Sequence, residues 1–486
     1  MAEDKNQGLN YGIVKGVSWM ALFTYTTQAL SWVVTIFVAR VLSPRDYGLM
    51  GLATIFIGYA DMLADLGLGQ AIIQKKEIIK EEISSVFWFS MGIGIIIALG
   101  CLPLSFLTAY VMHEPKVIPI VQVIGFVFLF SSMRIVPSSL LKRKLDFKNA
   151  AICESIGTVF SLVVVITAAL LGAGVWALVF SQISRAIVSA MAYFFMSRWL
   201  PQFTFNFANA KAFLNFGIPL TLGRTLSYIQ AKSGTFFAGR AWMSATLGLY
   251  SLAKELAQIP TDRITPLINN VCFPAFSKLQ DDIKGIGLLY LRASKITSLL
   301  VVPICLGGAC LGDLLIPVML GAKWEPMIFI FQLFCISEIA NGLNAINGFI
   351  HPAAGYPKRN LFYQAICVLA MPISFALVVP YGLNAIAYPA LVTGTVLSLG
   401  WIFYTLYTFK IRIADYAGHL KSAIISCAVM ALWILLFRLV SADHFTKLQI
   451  LIIATVTASM VYGACVWFFE REFILKVMSM VRGRAE

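Results

Sequence analysis

Charge is scarce in this chain: only 12% of its 486 residues are Asp, Glu, Lys or Arg, about half of the 25% typical of a soluble domain. Histidine is scarcer still. His113, His351, His419 and His444 stand far apart, in loops or at the ends of apolar runs, so they build neither a metal cluster nor a catalytic triad. The 9 cysteines are scattered singly, with no CxxC and no Cys/His spacing able to close around zinc. Glycine pairs at 67 and 69, 92 and 94, and 172 and 174 lack the third glycine and the strand context of a dinucleotide fingerprint, and there is no P-loop. These gaps argue against an enzyme, against a bound cofactor and against direct hydrolysis of ATP.

What the chain has is apolar length. Hydrophobic residues make up 59% of it and the mean hydropathy is +0.83. A helix needs roughly 20 apolar residues to cross the hydrocarbon layer. Fourteen such runs are expected, at about 17–41, 47–69, 83–110, 117–141, 150–171, 175–197, 213–238, 244–264, 293–317, 325–348, 361–380, 383–409, 420–440 and 447–469. The start, MAEDKNQGLN, is acidic and no small-residue cleavage site follows the first run, so that run is expected to stay in the mature protein. The fold class is therefore an all-α polytopic membrane protein.

The formal charge is +14, from 37 basic and 23 acidic residues. On the fourteen-span map 25 of the basic residues fall on one side, including Lys75, Lys76, Lys80, Lys142, Arg143, Lys144, Lys358 and Arg359, and 7 on the other. The positive-inside rule then puts both termini in the cytoplasm, in agreement with an even number of spans. Dispersal over short loops argues against a nucleic-acid surface, which would gather the charge on one module. The outward loops are too short for a catalytic domain, which argues against a membrane glycosyltransferase or polymerase.

An ungapped offset of 200 residues aligns TIFVARVLSPRDYGLMGLA from Thr35 with TFFAGRAWMSATLGLYSLA from Thr235, matching Arg40 with Arg240 and Gly48 with Gly248. A weaker echo at offset 210 pairs Lys148, Gly172 and Ala177 with Lys358, Gly382 and Ala387. Two six-span lobes sharing one orientation would produce this pattern. The expected division is 1–200 for spans one to six and 201–410 for spans seven to twelve. Residues 411–486 then form a peripheral, lipid-facing helix pair and a tail.

Five basic residues, Arg134, Arg185, Arg224, Lys232 and Lys254, lie inside spans, where each ionised group costs several kcal/mol unless it meets water or a partner. In span seven Arg224, Tyr228, Lys232 and Thr235 follow helical spacing. Span eight carries Lys254, Gln258 and Asp262, with Glu255 beside them; span one carries Thr24, Gln28, Ser31 and Thr35; span two carries Thr54, Gly58, Asp61 and Asp65. A hydrated cavity shared by the two halves would solvate these stripes, and buried structural pairs would do so as well. Arg134 lies near enough to the inner face to snorkel. The cations suit an anionic ligand such as a phosphate or diphosphate. Asp61, Asp65, Glu255, Asp262 and Glu338 are candidates for proton or sodium coupling. Glu338 shares its run with Asn341, Asn344 and Asn347, which could equally join helices by hydrogen bonds.

Several segments together carry a family resemblance: VKGVSWM at 14–20, ARVLSPRDYGLMG at 39–51, DLGLGQAIIQKK at 65–76, SSVFW at 84–88, LLKRKLDFKNAA at 140–151, GVWALV at 174–179 and PLINNVCFPAFSKLQDD at 266–282. The chain resembles the Wzx-type polysaccharide exporters, nearest the colanic and teichuronic acid branch, in the MOP superfamily with the drug/cation antiporters and the lipid II flippase. The resemblance is dense over residues 10 to about 295. It implies two six-helix lobes plus two helices, alternating access and, as substrate, an undecaprenyl-diphosphate-linked oligosaccharide flipped from the cytoplasmic to the outer leaflet of the inner membrane. Membrane lipids and the polysaccharide polymerase machinery are the implied partners, with the chain itself a monomer. Cationic cavity residues of relatives bind the diphosphate, in keeping with Arg224, Lys232 and Lys254. Many relatives carry Asn-x-Asp before the Gly-Arg that ends span seven, whereas these positions read Lys232, Ser233 and Gly234, so no acid stands there to inherit a coupling role. A cation-coupled multidrug antiporter of the same fold is the alternative, and a cationic lining argues against it.

Overall fold

A computed structural model describes residues 23–75, 77–441 and 444–481. Among these residues there are helices and no strands, as a bilayer demands of an open chain whose backbone groups must all be satisfied internally. Ten of the described helical segments are long and apolar enough to cross a membrane. The chain divides into two compact units, Met1–Gly248 and Leu249–Glu486.

In the first unit α1 covers residues 23–41. Then come α2 (Pro44–Asp65), α3 (Leu68–Gln74), α4 (Lys80–Met112), α5 (Val117–Ile124), α6 (Phe126–Arg143), α7 (Phe147–Leu170), α8 (Val175–Ser197) and α9 (Phe207–Ala241). Local chemistry sets the ends. Ser43 caps α2 by accepting from the Asp46 amide while Asp46 reaches back to the Ser43 amide, and proline occupies the first turn, where no amide hydrogen is missed. Asp146 caps α7 through the amide of Asn149. The 70–82 loop expected from hydropathy begins as helix, because α3 runs to Gln74. Arg143 closes it, donating to the carbonyls of Ile72, at 2.7 Å, and Lys75. The connector after α8 lies along α4: Ser84 accepts from the Gln202 amide, Ser85 from the Asn206 amide, and Trp88 donates to the Gln202 carbonyl.

The helix α10 (Ser244–Lys278) begins in the first unit. The second unit continues it and adds α11 (Ile283–Leu320), α12 (Ile328–Asn344), α13 (Asn347–Ala353), α14 (Pro357–Val378), α15 (Thr395–Thr408), α16 (Ile413–Ser441) and α17 (Lys447–Val481). Several boundaries differ from the hydropathy reading, two of them on either side of one turn. The helix α10 continues to Lys278 instead of stopping near 264, and α11 starts at Ile283, ten residues before 293. Hydropathy marks where hydrocarbon ends, whereas a helix keeps its hydrogen bonds in water and runs on until a turn stops it. Here Asp282 caps the new helix by accepting from the Gly285 amide.

The last helix pair is tied to α11. Arg438 of α16 pairs with Asp313 of α11 and donates to the Cys310 carbonyl at 2.7 Å. Lys295 of α11 pairs with Glu470 of α17, and the Tyr462 hydroxyl donates to the Leu299 carbonyl at 2.7 Å. Leu311, Leu314, Met430, Ile434, Ile450, Ala454 and Ala458 form the apolar cluster beneath these ties.

Candidate functional site

In the first unit the embedded charges converge on Glu154 of α7. Gly157 faces Ser189 of α8 so closely that a Cβ there would lie 2.9 Å from the serine Cβ. Glu154 lies one helical turn before Gly157 and Arg185 one turn before Ser189, so this approach carries the two charged groups along facing sides. Arg134 of α6 donates to Glu154 Oε1 at 2.6 Å. The hydroxyl of fully buried Tyr193 lies 3.1 Å from the same oxygen and 3.2 Å from the Ala150 carbonyl. Arg185 Nη2 is 3.9 Å from Glu154 Oε2. Arg134 therefore meets a carboxylate instead of snorkelling. The sequence reading missed Glu154, although an acid in an apolar run is itself a signal that a partner is near.

The remaining candidates of this unit are spread over α1, α2 and α9. Thr24 is exposed, Gln28 and Ser31 are half-buried, and Thr35 donates to the Ser31 carbonyl. Thr27, one residue before Gln28, donates to Ser155 of α7 at 3.1 Å. Tyr228 is committed to packing: its hydroxyl lies 2.8 Å from the Ile55 carbonyl and 3.0 Å from that of Thr54, tying α9 to α2. Asp65 is the last residue of α2 and is half-buried. Lys232 is half-buried on α9. The side chains of Asp61 and Arg224 lie outside the described residues.

In the second unit Lys254 and Gln258 are half-buried on α10, whereas Glu255 and Asp262 are exposed. The 35-residue α10 is not among the ten apolar candidates, and these side chains are part of the reason. Glu338 of α12 is only 5% exposed and accepts from Asn341 at 3.1 Å. Thr261, Asp262 and Lys254 of α10 are its electrostatic neighbours. The asparagines extend a chain of hydrogen bonds: Ser398 donates to Asn341, Asn344 to Tyr363 at 2.9 Å, and Asn347 to Asn344 at 3.0 Å. Ser337 donates to the Ala390 carbonyl, inside a π-helical turn at Pro389–Gly394. His351, expected in a loop or at a span end, is fully buried near the end of α13, with Nε2 2.9 Å from Thr405 Oγ1 and the ring 4.7 Å from that of Trp401.

Residues 37–329 match the family model described as polysaccharide biosynthesis protein. The chain belongs to the polysaccharide biosynthesis protein family. Within it, the chain is 26% identical to the lipopolysaccharide biosynthesis protein WzxC of Escherichia coli over 329 residues, which is 66% of each chain. It is 24% identical to the succinoglycan biosynthesis transport protein ExoT of Rhizobium meliloti over 486 residues, covering 97% of this chain and 96% of ExoT. A solved structure of the lipid II flippase MurJ, in an inward closed conformation, superimposes with a TM-score of 0.72 at 17% identity, covering 93% of this chain and all of that one. At that identity the likeness establishes the fold of this polysaccharide biosynthesis protein and not its substrate.

Proposed function

We propose that this polysaccharide biosynthesis protein is a flippase. It moves undecaprenyl-diphosphate-linked oligosaccharide units from the cytoplasmic to the outer leaflet of the bacterial inner membrane by alternating access, without covalent chemistry. The observation that carries the reading is that cations of a multi-pass member of this family sit on its long helices, Arg134 and Arg185 within ones apolar enough to cross a membrane. Cations so placed are costly, and a lipid-linked diphosphate is an anion that must itself pass through the membrane. Fourteen spans, cytoplasmic termini and a monomeric state complete the reading.

Each unit supplies candidate groups. Arg134, Arg185, Arg224 and Lys232 in the first and Lys254 in the second are suited to phosphate oxygens. Asp61, Asp65, Glu255, Asp262 and Glu338 are suited to proton or sodium coupling. A multidrug antiporter would instead favour anionic groups facing its cationic cargo.

Gene deletion tests the reading. Loss of surface polymer, with lipid-linked units accumulating on the inner leaflet, is expected, and drug susceptibility should not change. Lys254→Ala and Arg224→Ala should each abolish export while the protein still inserts; unchanged export in both would contradict the role given to these cations.

A further inference from the structure

Two guanidinium groups and one carboxylate meet at Glu154, leaving one positive charge uncompensated within the cluster. The two arginines are not equivalent. Arg134 makes a direct hydrogen bond at 2.6 Å to Oε1, the oxygen that Tyr193 also approaches. Arg185 stands 3.9 Å from Oε2, at the limit of an ion pair, and its side chain is 50% exposed against 33% for Arg134. A half-exposed guanidinium in a membrane helix needs a hydrated or anionic neighbour. Arg185 is the arginine able to take one.

We propose that Glu154 is a resident stand-in for the phosphate of the substrate, and that Arg185 is the residue exchanged between the two anions. Carboxylate and phosphate offer a guanidinium the same pair of oxygen acceptors. In the empty protein Glu154 holds Arg185 loosely and Arg134 firmly. When a phosphate arrives, Arg185 turns to it, while Arg134 and Tyr193 keep Glu154 in place, so the carboxylate is never left unpaired in the membrane. Glu154 recovers Arg185 as the phosphate leaves. A carrier must bind firmly enough to load and loosely enough to unload, and an internal competitor sets that balance. Glu154 is in these terms a positioning residue that acts through Arg185. The proposal rests on the diphosphate-lipid reading above and adds to it a division of labour among residues.

The test uses the full-length protein, with equilibrium binding of radiolabelled undecaprenyl diphosphate and its transbilayer movement measured on the same variants. Arg185→Ala should weaken binding about tenfold or more, the scale of a lost charge-assisted hydrogen bond. Glu154→Gln removes the competitor and keeps the shape. It should bind the probe several-fold more tightly yet move it more slowly, a split that a merely structural role would not produce. Equal or weaker binding by Glu154→Gln, or unchanged binding by Arg185→Ala, overturns the proposal. Should Glu154→Gln fail to fold, Arg185→Ala alone decides. A wild-type protein that binds no undecaprenyl diphosphate would overturn the substrate reading and this proposal with it, whereas normal wild-type binding with indifferent variants overturns only the exchange.

Discussion

Gly48 and Gly248, matched by the 200-residue repeat, are packed reciprocally. A Cβ on Gly48 would stand 1.5 Å from the Ser244 carbonyl oxygen, and one on Gly248 would stand 1.8 Å from that of Pro44. Pro44 and Ser244 are themselves 200 residues apart, so the first turns of α2 and α10 touch backbone to backbone as repeat-related halves of one contact. Glu114 braces the same place, 3.7 Å from Arg45 and accepting from Ser244 at 3.0 Å.

No rotamer change relieves a clash with backbone, so Gly48→Ala and Gly248→Ala must push the two helices apart. Each is expected to cost about 1–3 kcal/mol, the range for overpacking, seen as a lower melting temperature of the purified protein. Gly92→Ala is the control, since nothing beyond its own stretch of helix backbone lies within 4 Å of the added carbon. Equal melting of all three variants would contradict the contact.

The tie between Arg438 and Asp313 holds α16 to α11 within apolar surroundings. Removing one partner leaves the other charge without its counterpart, which costs up to 3–5 kcal/mol when fully buried; partial exposure here lowers the expectation to roughly 1–2 kcal/mol. Asp313→Ala should therefore melt earlier. The double substitution Asp313→Ala with Arg438→Met should recover part of the loss in a double-mutant cycle. Additive losses would show that the pair is not coupled.

Thr405→Val removes the hydroxyl beside His351 Nε2 and leaves a buried ring nitrogen without that contact. The expected cost is about 1–3 kcal/mol, again read by melting. Thr405→Ser keeps the hydroxyl and should stay near wild type. If Thr405→Val melts like wild type, the contact does not support the fold.

The apolar periods of the chain made its class legible, because hydrocarbon imposes one simple length requirement on every span. The 200-residue echo was legible too, since Gly48 and Gly248 both stand where an added Cβ would meet backbone. Helix ends at Lys278 and Ile283 were not, because hydropathy reports the solvent and not the helix. The five embedded cations could be read one by one, but their partners could not. Whether Arg134 meets Glu154 or water depends on the rotation of α6 against α7, which is set by side-chain packing such as that of Gly157 on Ser189 and has no one-dimensional trace. Tyr228 shows the converse: its place in a polar stripe was visible, but its use as a tie to the α2 backbone was not.

The most direct measurement is transbilayer movement in proteoliposomes containing the purified full-length protein and a fluorescent undecaprenyl-diphosphate oligosaccharide, with a membrane-impermeant quencher reporting the exposed leaflet. The flippase account predicts that wild-type protein exposes the internal pool to quenching and that Lys254→Ala does not. An internal pool that stays protected with wild-type protein, as in protein-free vesicles, would contradict it.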